Sequence, residues 1–108
     1  IRLDEAEAMI KKALSFKPEN GYIIDSLGWV YFRKGLLEDA LLELQRAAAL
    51  IPDDPVVLEH LGDIYLELND PVKALDYYNQ ALEKKDKDPE ALQEKIEALQ
   101  EKFPEIGL

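Results

Sequence analysis

The sequence predicts an all-α chain of six helices assembled from a repeated helical hairpin, and three observations carry that prediction. The first is an internal period. Leu27-Gly28 recurs as Leu61-Gly62, Tyr31 as Tyr65, Ala40 as Ala74, Ala47 as Ala81 and Asp54-Pro55 as Asp88-Pro89, each later residue 34 positions after the earlier. Coincident pairs at one spacing mark stacked supersecondary units. The second is hydrophobic spacing: Ile24, Leu27, Gly28 and Tyr31 fall at i, i+3, i+4 and i+7, as do Leu58, Leu61, Gly62 and Tyr65, and no segment alternates with period two. The third is the placement of small residues. Gly28 is expected opposite Ala40, and Gly62 opposite Ala74, which lets paired antiparallel helices approach to roughly 8–10 Å.

Taken in order, residues 2–16 form a first helix carrying Leu3, Ala6, Met9, Ile10 and Ala13. The segment around Ile24 to Tyr31 forms the second, and Lys34-Gly35 breaks it. Leu37 to Ala48 forms the third, through Leu37, Ala40, Leu41, Leu44 and Ala47. Pro52-Asp53-Asp54-Pro55 separates it from the fourth, with Asp54 placed to cap the helix that follows. After Asn69-Asp70, Pro71 begins the fifth helix at its first position, where the missing N–H is not needed. That helix runs over Val72 to Leu82, through Ala74, Leu75, Tyr78 and Ala81. Asp88 is expected to cap the sixth, residues 89–103, whose apolar stripe is Leu92, Ile96, Leu99 and Phe103. Its Glu94, Lys95, Glu101 and Lys102 are expected to face water, and Pro104 and Gly107 to stop it.

Composition excludes several classes of function. A net charge of −10 and a pI near 4.5 oppose nucleic-acid binding, which needs concentrated Lys and Arg. Anionic membrane surfaces are disfavoured for the same reason, and no apolar run is long enough for direct membrane insertion. With no Cys there is no disulfide frame, thiol nucleophile or thiolate metal site. The single His60 leaves no multi-His metal site, and neither Ser15 nor Ser26 lies on a nucleophile elbow. Asp86, Asp88 and Glu90 imitate the start of a calcium loop that Pro89 and a missing glycine spoil. No Gly-rich phosphate loop is present. The reading is of no catalytic residue, no metal and no cofactor.

At these residues the sequence resembles the tetratricopeptide repeat family, whose helix–turn–helix units stack into a right-handed α-solenoid. Its pattern of large apolar, Leu-small, aromatic, Ala, large apolar, Ala and Pro is met by Ile24, Leu27, Gly28, Tyr31, Ala40, Leu44, Ala47 and Pro52. It is met again by Leu58, Leu61, Gly62, Tyr65, Ala74, Tyr78 and Ala81, with Asp86 departing where Pro is expected. The resemblance implies four parts: residues 1–20 as the second helix of a truncated repeat, repeats at 21–54 and 55–88, and a capping helix and tail at 89–108. Ala6, Ile10, Ala13 and Pro18 match only the second half of a repeat. The first helix therefore lacks its partner, as in a chain cut from a longer array or one whose exposed face docks elsewhere. That face, residues 2–16, is a candidate for homo-oligomer formation. The chain looks like the terminal repeats of long bacterial members, some envelope-associated lipoproteins and others cytoplasmic, so no single compartment is implied.

The family binds peptides on a concave face lined by the first helix of each repeat. Carried over, the resemblance gives Tyr22, Asp25, Ser26, Trp29, Phe32 and Arg33 from one repeat, and Val56, Glu59, His60, Asp63, Leu66 and Glu67 from the next. Glu90, Gln93, Glu94, Glu97 and Gln100 continue the face. Such a groove is aromatic at one end and acidic at the other. One branch of the family clamps acidic chaperone tails with Lys, Arg and Asn; Ser26, Trp29, His60 and Asp63 stand there instead. The expectation is an interaction scaffold for a peptide or partner helix of basic and apolar character. The alternative is a structural end, or a self-association segment, of a longer array.

Overall fold

Three helices begin on a side chain that accepts from the first-turn backbone, satisfying donors that no helical carbonyl can reach. Asn20 accepts from Ile23 N at 3.1 Å, Asp54 from Val56 N and Val57 N at 2.9 and 3.1 Å, and Asp70 from Lys73 N at 3.1 Å. The computed structural model describes residues 2–106. Among these are α1 (Leu3–Phe16), α2 (Gly21–Arg33), α3 (Leu37–Leu50), α4 (Pro55–Glu67), α5 (Pro71–Lys84) and α6 (Glu90–Lys102), followed by a 3-10 turn at Pro104–Ile106. No strand occurs among the described residues, and the chain is all-α, as its periodicity predicts. The helix bounds repeat at the same 34-residue spacing, from α1 to α3 to α5 and from α2 to α4. Gly107 lies outside the described residues.

The chain forms two compact units, divided between Pro52 and Asp53. In the first, α2 and α3 are antiparallel: Gly21 at the start of α2 meets Ile51 just beyond α3, while Gly28 meets Leu44 and the Ala40 carbonyl. Ile24, Leu27, Val30, Ala40, Leu44 and Ala47 are its buried apolar residues. α1 packs on α2 but buries no residue completely. Leu3, Ala6, Ile10 and Ala13 are half-buried, while Met9 is 72% and Phe16 76% exposed. Lys34 ties the two helices through Asp4 at 2.7 Å and Glu7 at 2.9 Å.

In the second unit α4 pairs with α5, and α6 lies on α5. Leu58, Ala74, Leu75, Tyr78, Ala81, Leu92, Ile96 and Leu99 form one buried cluster, with Phe103 and Ile106 packed at its edge. α2 and α4 end alike. The residue after each cap, Gly35 or Asn69, takes a left-handed conformation (φ 80° and 62°), and the next N–H returns to a carbonyl five residues back. Those bonds, Leu36 N to Tyr31 O and Asp70 N to Tyr65 O, both measure 2.9 Å. This is the Schellman arrangement, which takes glycine or, at higher cost, asparagine.

Gly28 meets the Ala40 carbonyl as expected, with the Leu44 side chain closer still, and the Tyr78 ring is the nearest neighbour of Gly62. Two expectations need correction. Asp88 does not cap α6: at φ 48° it is outside the extended conformation an N-cap needs, and Pro89 holds that position without a side-chain bond. Lys95 does not point simply to water, and its partners reshape the candidate site.

Candidate functional site

On α2 the helical spacing that buries Ile24, Leu27 and Gly28 leaves Tyr22, Asp25, Ser26, Trp29, Phe32 and Arg33 along the other side. Tyr22 is 63% exposed, Ser26 and Arg33 are exposed, and Asp25, Trp29 and Phe32 are half-buried. Trp29 and Phe32 stack with centroids 4.9 Å apart and planes at 21°. The Ser26 hydroxyl donates to the Tyr22 carbonyl at 3.2 Å, which directs it along the helix. The first unit thus brings its three aromatic candidates onto one helix.

On α4 the corresponding stretch holds Glu59, His60, Asp63 and Glu67, beside Val56 and Leu66. Glu59, His60 and Asp63 are half-buried and Glu67 is exposed. The carboxylates of Glu59 and Asp63 do not stand open. Lys95 of α6 donates to Glu59 Oε2 at 2.6 Å and to both Asp63 oxygens at 3.1 and 3.3 Å. Tyr78 of α5 donates its hydroxyl to Asp63 Oδ1 at 2.6 Å, and the Lys95 ammonium lies 5.7 Å from the centre of the same ring. Burial favours the neutral amine of Lys95, but the bonds to Glu59 and Asp63 outweigh it and hold the amine above the ordinary lysine value. Burial, reinforced by the bond to Asp63, pushes the Tyr78 hydroxyl well above the usual tyrosine range. The acidic wall read from the sequence is therefore part-neutralised from within, one ammonium serving two carboxylates. Glu67 has no ion pair among the described residues.

The same helices enclose a cavity of about 590 Å³ between α4, the start of α5 and α6. Leu66, Pro71, Ala98, Leu99 and Phe103 line it with the Lys95–Asp63 pair, and Glu67 and Lys102 stand at its rim. No local pattern of residues announces this cavity, whose lining comes from residues 63–71, Tyr78 and residues 95–103. Among the described residues, no cluster of three His, Asp or Glu has metal-binding geometry. No helix among them is long and apolar enough to cross a membrane.

A family model for the tetratricopeptide repeat matches residues 2–55 and again 27–91. A TPR repeat-containing protein of Pseudomonas aeruginosa is 40% identical over 62 residues, which is 57% of this chain but only 10% of that relative's length. The solved structure of a thermophilic TPR protein from Thermus thermophilus is similar with a TM-score of 0.81 at 29% identity, covering 90% of this chain and 49% of that one. PcrH, solved in complex with the chaperone binding region of PopD, is similar in fold with a TM-score of 0.80 at 22% identity, covering 93% of this chain and 80% of that one.

Proposed function

Because the chain belongs to the tetratricopeptide repeat family, we propose that it is a protein–protein interaction scaffold that receives a peptide or partner helix of basic and apolar character on its first-helix faces. The receiving residues are Tyr22, Asp25, Ser26, Trp29, Phe32 and Arg33 on α2, and Glu59, His60, Asp63 and Glu67 on α4, each unit taken by itself. One observation carries the reading: α2 displays Tyr22 and the Trp29–Phe32 stack outside the buried core. Aromatic plates of this kind concentrate binding energy, since they bury much area at little entropic cost. A structure similar in fold is that of PcrH bound to a region of PopD, which supports a peptide-sized ligand. We assign no catalytic residue.

Titration with an acetylated (Lys-Leu)4 amide and its (Glu-Leu)4 mate, at low and high salt, tests the proposal. The basic peptide is expected to bind more tightly, to weaken with salt, and to lose tenfold or more in Trp29→Ala, about 1.4 kcal/mol. Equal affinity for the two peptides, or no effect of Trp29→Ala, would remove the reading.

A second reading rests on α1. A helix with no fully buried residue and with Met9 and Phe16 exposed suits self-association of the chain through residues 2–16. Sedimentation would then show a dimer that Ile10→Glu converts to monomer; a monomeric parent chain excludes it.

A further inference from the structure

We infer that the cavity between α4 and α6 is a receptor for one bulky apolar side chain of a partner peptide, with a lysine or arginine next to it in the peptide sequence that pairs with Glu67. The inference rests on the scaffold reading above and narrows the partner's chemistry at the second unit. Its first support is shape: about 590 Å³ is within the size range of ligand pockets, and the walls are mainly Leu66, Pro71, Leu99 and Phe103. Its second is the state of the local charges. The Lys95 ammonium is held by Glu59 and Asp63, so each of those carboxylates already accepts from an internal cation. Lys102 lies 5.5 Å from the centre of the Phe103 ring, which gives that cation a partner. Glu67 has no ion pair among the described residues and stands at the cavity rim.

The wider field decides the sign of the ligand. From residue 53 onward the sequence carries fifteen Asp and Glu against six Lys and no Arg, whereas residues 1–52 carry eight acids against seven Lys and Arg. Almost the whole negative charge of the chain therefore lies in the unit that holds this cavity, and a cationic peptide is drawn to that unit while an anionic one is repelled. The apolar residue supplies affinity in a partly dry site; the single cation supplies orientation.

The experiment follows backbone amide resonances of the full chain during titration with three blocked tetrapeptides: acetyl-Ala-Phe-Arg-Ala-amide, acetyl-Ala-Phe-Glu-Ala-amide and acetyl-Ala-Ala-Arg-Ala-amide. The first is expected to shift amides around Leu66, Leu99 and Phe103, with a Kd at least tenfold below either of the others. Glu67→Gln should cut the preference for Arg over Glu at least threefold, the remainder being the salt-sensitive share of the wider field. Ala98→Trp, at an exposed position on the cavity wall, should abolish the shifts while leaving the response of Trp29 to (Lys-Leu)4 intact. Three equal affinities, absence of binding at millimolar peptide, or shifts that survive Ala98→Trp would overturn the inference. A chain that binds (Lys-Leu)4 through Trp29 but fails these tests keeps the scaffold reading and loses only this receptor. Loss of the Trp29 response with the cavity result intact would do the reverse.

Discussion

Gly62→Ala is expected to lower stability by about 2 kcal/mol, while the equivalent Gly28→Ala changes it by about 1 kcal/mol or less. A methyl group at either position improves helix propensity by roughly 1 kcal/mol, so the difference must come from what the methyl meets. At Gly62 it would overlap the edge of the Tyr78 ring. That ring is 2% exposed, and its hydroxyl is bonded to Asp63 at 2.6 Å, so it can neither tilt out nor turn without losing that part-buried bond. The α4–α5 pair has to separate instead. At Gly28 the overlap falls chiefly on one terminal methyl of Leu44, the far end of a flexible side chain with no hydrogen bond to lose when it turns. Urea denaturation followed by circular dichroism, with the slope checked for constancy, measures both effects. Adding Tyr78→Leu to Gly62→Ala gives the second unit the contact of the first, and the two changes should couple by about 1 kcal/mol or more. Strict additivity would show that the ring is not what excludes the methyl.

The two glycines also show how much of this molecule is legible in its sequence. Leu-Gly and Tyr at a fixed period, with Ala40 and Ala74 following, announce helical hairpins, and the observed bounds of α2 and α4 repeat with that period. Asp54 is readable as a cap, as is the place of Pro71, because capping depends on residues within one turn. Asp88 carries the same residue type in a backbone that is left-handed, and nothing local in the sequence distinguishes the two cases. The face of α2 is likewise legible as a helical stripe, since Tyr22, Trp29 and Phe32 share one element. The charge state of the α4 face is not. Lys95 lies 36 residues from Glu59 and 32 from Asp63, and a lone lysine on an amphipathic helix reads as solvated. Tyr78 is identifiable as core, but its hydroxyl bond becomes visible only once α4 and α5 are paired.

Lys95→Met should reveal that hidden bond set in two measurements. Stability at neutral pH is expected to fall by about 1 kcal/mol. The modest figure reflects a lysine side chain that is 40% exposed, so water screens much of its attraction even though Asp63 is only 15% exposed. Methionine keeps the apolar stem over Tyr78 but leaves two half-buried carboxylates without their shared cation. Asp63→Asn in the Lys95→Met background should recover part of the loss, since one of the two like charges is then gone. The pH profile gives the second measurement. Lys95 and Tyr78 both have folded pKa values raised above their unfolded ones. Each therefore contributes stability that is complete below the unfolded value, roughly 10 for either group, and that disappears as pH rises through the folded value. The parent chain should lose stability from about pH 10 upward. Lys95→Met should start lower and fall less steeply there, and Tyr78→Phe should remove the tyrosine share of the slope while leaving the lysine share. An alkaline limb identical in parent and Lys95→Met would mean that the ammonium contributes nothing to holding α6 in place, and the acidic face of α4 would then stand as open to a basic partner as its sequence suggests.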